Sequence, residues 1–461
     1  MDEETDLSIG LCQGGSTTRT RSWPTRDEQV SGSSPLVGSL FALDKPITCG
    51  TKGSQLSTRR YCADYRFRIR ITMSTINALD DTGASRPPQP TSAPAPASRV
   101  ALKTDIVVIG AGQAGLSSAY HLKKRELAPG RGFVVLDQSP QPGGAWQFRW
   151  PSLKLSTVNR IHDLPGMRFS EVVDTDAKEV EASVAVPRYF AAYEEAFDLP
   201  VYRPVKVTVV CDRGERLKIE TDQGNLSARG LINATGTWET AYIPEYPGAD
   251  RFKGRQLHTK DYRTAEEFAG RHVIVVGGGI SAIQLLDEVS RVTTTTWVTR
   301  RPPEFREGPF TEERGRAAVA LVEDRVRRGL PPNSVVSVTG LPVTPAIEAM
   351  RARGVLDRLP MFSEILEDGV RWPDGTVVRA DVILWCTGFR SSLDHLAPLM
   401  LREPSGGITM TGRLATQVAK DPRVHLIGYG PSASTIGANR AGAAAARELM
   451  AYLGEEKTQR G

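Results

Sequence analysis

Ile106-Val107-Val108-Ile109-Gly110-Ala111-Gly112-Gln113-Ala114-Gly115 is the stretch whose reading decides the fold. Four branched apolar residues run into Gly110, Gly112 and Gly115, the G-x-G-x-x-G spacing. A strand that enters such a turn and leaves it as a helix can hold a dinucleotide pyrophosphate. The first glycine permits the tight turn, the second lets phosphate approach the backbone, and the third lets the helix pack close to its strand. The helix N-terminus then presents unpaired N–H groups and a positive dipole end to the anion.

Outward from the turn, Lys103–Ile109 is predicted as a strand and Ala111–Lys124 as a helix with Leu116, Ala119 and Tyr120 inward. Phe133–Leu136 is the second strand, closed by Asp137, a position from which a carboxylate can accept ribose hydroxyls. The paired glycines of Gly143-Gly144-Ala145-Trp146 permit close backbone approach to a ligand. Trp146 then either covers a flat ring or fills a core. A helix over Val186–Phe197 precedes a hairpin of Val205–Cys211 and Arg216–Thr221, with turn chemistry at Asp222-Gln223-Gly224. Gly230–Gly236 returns as an apolar strand ending in Thr235-Gly236.

The same order then recurs. Val273–Ala282 reads V-I-V-V-G-G-G-I-S-A, with Gly277, Gly279 and Ala282 in the three turn places. A helix over Ser281–Ser290 and a strand over Thr295–Thr299 follow, and the strand ends at Arg300 and Arg301. Arginines at that point either suit a 2′-phosphate, hence NADP rather than NAD, or form an exposed basic turn; NADP is the expectation. A hairpin signal at Asp374-Gly375 precedes Asp381–Gly388, a second apolar strand ending in Thr-Gly. Two halves built alike imply two dinucleotides on one chain. A nicotinamide supplies hydride and a flavin accepts it, so the pair reads as NADP and FAD.

Composition bounds the remainder. The chain has 461 residues, 40% hydrophobic and 24% charged, with a net charge of +5, and gives no reason to invoke nucleic acid. No stretch approaches the ~18 apolar residues of a membrane span. None of the five cysteines forms a C-x-x-C pair, and a cytoplasmic location is expected. Residues 1–100 lack sustained periodicity, and Ala84–Ala97 is rich in Pro, Ala and Ser. They read either as a dispensable disordered leader or as translated upstream non-coding sequence ahead of a true start at Met73.

Phe252–Arg263, F-K-G-R-Q-L-H-T-K-D-Y-R, matches F-x-G-x-x-x-H-x-x-x-Y-R. This resembles the fingerprint of class B flavoprotein monooxygenases of the flavin-containing monooxygenase type, with Phe252, Gly254, His258 and Tyr262 in its defining places. Gly143–Trp146 resembles the family's G-G-x-W. The resemblance covers about residues 103–454 and implies an α/β protein with two Rossmann-type domains on a glutathione-reductase-like plan. Residues 101–243 and 389–456 form the flavin domain and residues 244–388 the inserted nicotinamide domain. It implies that NADPH reduces FAD, that oxygen adds to the flavin C4a, and that the hydroperoxide oxygenates a small organic substrate. His258 would couple nicotinamide binding to oxygenation, with Tyr262 beside it. Asn159, in Leu155–Arg160, stands one place from the family's flavin-facing Asn, and no Pro follows it. Trp146 and Asp137 become flavin contacts.

At the C-terminus, Val424–Gly430 is a further strand and Gly437–Leu453 a helix. The start of that helix, Ser434–Gly437, is expected to aim N–H groups at the flavin, with Arg440 facing the same pocket. Pro302–Phe362 carries the least pattern and is expected to shape access. Two other readings stay open: a flavoprotein reductase or oxidase without oxygen insertion, and a nucleotide-sensing binding protein.

Overall fold

The computed structural model describes residues 102–158, 161–174, 179–308, 311–333 and 336–460. The readings made for residues 1–100 and for Asn159 lie outside these.

Strand β1 (Leu102–Ile109) leads through Gly110 into helix α1 (Gln113–Lys124) and strand β2 (Phe133–Leu136). Ile106–Val108 and Phe133–Val135 are almost completely buried. Such unbroken apolar runs mark strands of a parallel sheet covered on both faces. Helix α2 (Ala182–Ala196) and the short strand β3 (Val201–Tyr202) follow. Next come the meander β4 (Val207–Asp212) and β5 (Leu217–Thr221) and the long strand β6 (Gly224–Asn233). β1 lies parallel between β2 and β6, in register Val108↔Val135 and Val108↔Ile232.

A second sheet takes its strands from the middle of the chain. They are β7 (Arg255–His258), β8 (Val273–Val276) and, after helix α3 (Ile280–Val289), β9 (Thr295–Val298). A stretch of short elements comes next: strand β10 (Phe305–Arg306), helix α4 (Glu312–Arg327), helix α5 (Val336–Thr339), strand β11 (Leu341–Pro342), helix α6 (Pro345–Ala352) and strand β12 (Arg358–Leu359). An antiparallel meander of β13 (Glu364–Leu366), β14 (Gly369–Arg371) and β15 (Val377–Arg379) leads to β16 (Val382–Trp385). The second sheet is wholly parallel, in the order β12-β9-β8-β16-β7.

The chain then returns to the first sheet through β17 (Met410–Thr411), β18 (Gln417–Val418) and β19 (Val424–Leu426), and ends in helix α7 (Thr435–Arg460). β19 pairs parallel with the end of β6. Small residues bring α7 close to α1. A Cβ on Gly442 would meet the Ser117 Oγ at 2.7 Å, and Ser117 donates to the Asn439 carbonyl at 3.0 Å. The last helix is thereby fixed beside the first turn. No helix among the described residues is long and apolar enough to cross a membrane.

Several elements differ from the sequence reading, among them the last helix, which runs over Thr435–Arg460 rather than Gly437–Leu453. β6 begins at Gly224 rather than Gly230, because Ser227-Ala228-Arg229 interrupts the apolar pattern. Its first half forms an antiparallel edge with β5 (Lys218↔Ser227) and its last residues pair with β19 (Leu231↔Val424). α2 begins at Ala182, four residues before Val186, and carries Pro187 inside it. The region read as unpatterned holds α4, whose buried Ala318, Val322 and Val326 recur every fourth residue along one face.

Candidate functional site

The two glycine turns repeat one another in their contacts. Gly110 has φ +100° and Gly277 φ +142°, both outside the range that L side chains favour. A Cβ on Gly110 would lie 2.6 Å from the Ala234 carbonyl oxygen, and one on Gly277 would lie 2.3 Å from that of Cys386. Each of these carbonyls stands just beyond the neighbouring parallel strand, β6 or β16. Gly110 donates its N–H to Leu136 at 2.7 Å and Gly277 donates to Val298 at 2.9 Å. The third places are packed shut. A Cβ on Gly115 would fall 1.8 Å from the Gly110 oxygen, while Ala282 fits fully buried against β8.

The second glycines differ from the others in the way a ligand cradle requires. Gly112 and Gly279 cap the N-termini of α1 and α3 with extended backbone and no capping side chain. A Cβ on either would meet nothing within 4 Å. The side of each cap glycine on which a side chain would stand is therefore open, as close approach of an anion to a helix N-terminus needs. Gly236 and Gly388, after β6 and β16, have φ +63° and +80°, and they too face open space. Gly144 lies against the first cradle, where a Cβ would come within 3.0 Å of the Gly112 Cα. Its neighbour Gly143, at φ +124°, leaves room for the ring of Pro187 in α2, which a Cβ there would meet at 2.7 Å. These cradles fit dinucleotide pyrophosphates.

Asp137 is buried at the end of β2. Its Oδ1 accepts from the Ser139 N–H at 2.9 Å and its Oδ2 from the Ala111 N–H at 3.3 Å. Arg203 lies 3.4 Å from Oδ2 and also pairs with Glu194 at 2.5 Å. A carboxylate offers about four acceptor directions, so capacity for a ribose hydroxyl remains. At the other turn, Arg300 and Arg301 follow β9 and are both exposed. Neither side chain makes an ion pair or hydrogen bond among the described residues.

Two crossing segments of chain join the halves. Tyr242 N–H donates to the Gly388 carbonyl at 3.0 Å, Arg390 N–H to Thr240 at 2.8 Å, and Ser392 N–H to Gly236 at 3.0 Å. Thr235 Oγ1 donates to the Ser392 carbonyl at 2.7 Å. Both Thr-Gly ends are thereby tied into one ribbon. His258 clamps it from the second sheet. It is buried, its Nδ1 accepts the Lys260 N–H at 3.1 Å, and its Nε2 lies 2.9 Å from the Gly388 carbonyl. Because Nδ1 accepts, the proton resides on Nε2, which donates to Gly388. Burial lowers the His258 pKa, so the ring is neutral at pH 7.

The rest of the Phe252–Arg263 pattern has local physical causes. A Cβ on Gly254 would strike the Asp381 carbonyl at 2.4 Å and the Phe252 ring at the same distance. Tyr262 is buried, packs on Phe268 and Trp150, and donates to Glu288 at 2.8 Å. Its hydroxyl is held protonated chiefly by burial and also by Glu288. Ser152 donates to the same Glu288 oxygen at 2.7 Å. Trp150 and Leu153, a few residues after the G-G-x-W turn, thus sit in the core of the second sheet. Gly437 N–H is bonded to the Ser434 Oγ at 3.1 Å at the start of α7.

The sequence reading missed an aromatic layer where the two halves meet. Trp238 stacks on Phe389 at 5.1 Å and on Phe148 at 6.3 Å, and the edge of His258 meets Phe389 at 4.8 Å. Trp238 follows Gly236 by two positions and Phe389 follows Gly388 by one, so an aromatic after each Thr-Gly was the available signal.

This architecture is shared with a flavin-containing monooxygenase from Stenotrophomonas maltophilia. The two are 37% identical with a TM-score of 0.63, over 76% of this chain and 99% of that one. The chain belongs to the flavin-containing monooxygenase family. A model of the pyridine nucleotide-disulphide oxidoreductase family also matches residues 107–314. An uncharacterized oxidoreductase, CzcO, from Bacillus velezensis is 31% identical over 201 residues, 44% of this chain and 56% of that protein. The FAD-containing monooxygenase EthA of Mycolicibacterium smegmatis is 28% identical over 193 residues, 40% of this chain and 38% of that protein. The chain spans about half the length of the curated relatives that it matches first. The family's cofactors, FAD and NADP, are those of this flavoprotein oxidoreductase.

Proposed function

We propose that this chain is an NADPH-using, FAD-dependent monooxygenase that places one atom of molecular oxygen in a small organic substrate. The observation that carries the reading is the pair of open cradles, at Gly112 and Gly279, whose strands' Thr-Gly partners are joined in one ribbon. Two dinucleotides held there meet at the junction of the sheets. On this reading the fold is two Rossmann-type domains: residues 101–243 and 389–456 for the flavin, and residues 244–388 for the nicotinamide.

Bound FAD supplies the oxygen-activating ring and NADPH the hydride. The chain supplies placement. Gly110, Gly112, Gly115 and the start of α1 hold the flavin pyrophosphate, and Asp137 accepts from its ribose. Gly144, Trp146, Thr235 and Gly236 line its path, and the start of α7 at Gly437 closes it. Gly277, Gly279, Ala282 and Gly388 hold the nicotinamide cofactor, and Arg300 and Arg301 take its 2′-phosphate. His258 positions the ribbon through Gly388. Tyr262 positions the G-G-x-W segment through Glu288 and Ser152, and a flavin-side role stays with Asn159. A cytoplasmic location accords with this chemistry.

The test is oxygen accounting. Purified FAD-loaded protein is given NADPH, labelled dioxygen and a panel of thioethers, amines and ketones. One labelled atom in a product, with NADPH consumed in proportion, supports the reading. NADPH consumption matched entirely by peroxide, with no labelled product across the panel, would replace it with an oxidase. The dithiol-reductase branch would need a cysteine pair; among the described residues Cys211 lies buried in β4 and Cys386 buried just after β16, with no disulfide between them, and burial pushes the Cys386 thiol up to about 12.

A further inference from the structure

Arg149 is held rigidly from both sides. Trp146 precedes it in the G-G-x-W turn, and Trp150 after it is locked in the second core against Tyr262, at 6.2 Å edge to face. The guanidinium lies over Trp238 at 4.6 Å and over Trp146 at 5.8 Å. It therefore stands within the aromatic layer of Phe148, Trp238 and Phe389, beside both Thr-Gly ends.

Among the described residues no acid accompanies it: its side chain makes no hydrogen bond or ion pair, and its Nε is enclosed with no partner. Other enclosed arginines have acid partners: Arg203 pairs with Glu194 and Asp137, and Arg423 pairs with Asp421 and Asp212. Lys260, also over Trp238 at 6.0 Å, is paired with Glu239. Burial draws the Arg149 pKa down to about 10, which leaves it charged at neutral pH. Stacking on indole faces offsets only part of the lost hydration of such a cation. The planar fork, fixed at the junction, lacks the oxyanion that it is shaped to receive.

We propose that Arg149 is an anion-recognition residue of this site, taking a phosphate or carboxylate oxyanion carried in by a bound small molecule. The phosphate source rests on the two-dinucleotide reading; the carboxylate source, an acidic organic substrate, does not.

The experiment measures binding on FAD-loaded wild type, Arg149→Met and Arg149→Lys. Flavin absorbance changes report titrations with NADP+, phenylacetate and its neutral match phenylacetamide, and dialysis reports FAD retention. The expected result is at least a tenfold loss for NADP+, phenylacetate or FAD in Arg149→Met, partly restored in Arg149→Lys, with phenylacetamide unchanged. The arm that moves identifies the source. Unaltered NADP+ and FAD binding, with phenylacetate either unaltered or not bound by wild type, overturns the proposal and leaves the guanidinium a packing element. Where Arg149→Met does not fold, Arg149→Lys and Arg149→Gln of matched melting temperature are compared, and equal binding by the two overturns it. Failure of wild type to bind NADP+ at all counts against the two-dinucleotide reading, and the phenylacetate and FAD arms then decide the role of Arg149.

Discussion

Replacing Gly112 by Ala separates cradle from scaffold. Gly112 has φ −82°, which Ala adopts without strain, and its added Cβ meets nothing within 4 Å. Loss of chain freedom in the unfolded state favours Ala by about 0.4–1 kcal/mol. Ala is a poorer helix cap than Gly by a comparable amount, roughly 0.5–1 kcal/mol. Net stability should therefore move by less than about 1 kcal/mol, a few degrees of melting temperature at most. The methyl nevertheless occupies the space where phosphate oxygens must reach the start of α1. FAD affinity should fall at least tenfold, about 1.4 kcal/mol. Gly115→Ala is the contrasting perturbation, since its Cβ would lie 1.8 Å from the Gly110 oxygen. The turn would have to open, destabilising the fold by about 3 kcal/mol or more. Thermal melts of flavin-free protein give the stabilities, and fluorescence titration with FAD gives the affinities. Wild-type FAD affinity in a normally folded Gly112→Ala protein would refute the assignment of this cradle. Gly279→Ala extends the test, and should weaken NADPH while sparing FAD.

Changing both Arg300 and Arg301 to Ser should weaken NADPH ten- to a hundredfold, about 1.4–2.7 kcal/mol, and leave NADH nearly untouched; equal loss for both nucleotides would remove the 2′-phosphate role. Tyr262→Phe removes one of two hydroxyl donors to Glu288 and should lower stability by about 1–3 kcal/mol in urea unfolding. His425 is completely buried, and burial draws its pKa down to about 3. The unfolded chain takes up a proton near pH 6.5 that the folded chain refuses, so this residue leaves stability intact above that value and erodes it as pH falls. Between pH 7.5 and 4.5 the loss should be roughly 2–3 kcal/mol. His425→Asn should show a correspondingly flatter pH dependence in denaturant titrations.

The parts legible in the sequence are those whose cause is local. Gly110 and Gly277 are glycine because their own backbone has a positive φ and a carbonyl stands where Cβ would go. The apolar strands before them are read from four consecutive residues. The repeat of turn, helix and strand-Thr-Gly then needs no knowledge of contacts. Less legible was β6, where a strand shared between a meander and a parallel sheet carries two patterns in succession. α4 escaped because its buried face is a narrow strip of Ala318, Val322 and Val326 among charged residues that pair along the helix, such as Arg327 with Glu323.

Arg149 illustrates the other limit. Read alone, the arginine of G-G-A-W-Q-F-R-W is an ordinary basic residue in a loop. Its meaning depends on Trp238, supplied by the end of β6, on Phe389, supplied by the end of β16, and on Trp150, buried in a different core. These come from segments far apart in sequence, and no periodicity links them. What links them is the ribbon at Gly236 and Gly388, which brings the ends of two similar halves together. The repeat visible in the sequence was therefore informative about each cradle separately. Their junction is a tertiary feature, and there the chain places the Trp238–Phe389 stack, a neutral clamping histidine and a cation unpaired among the described residues. On the two-dinucleotide reading, a site for chemistry between the cofactors has to be built at that junction, since neither half contains it alone.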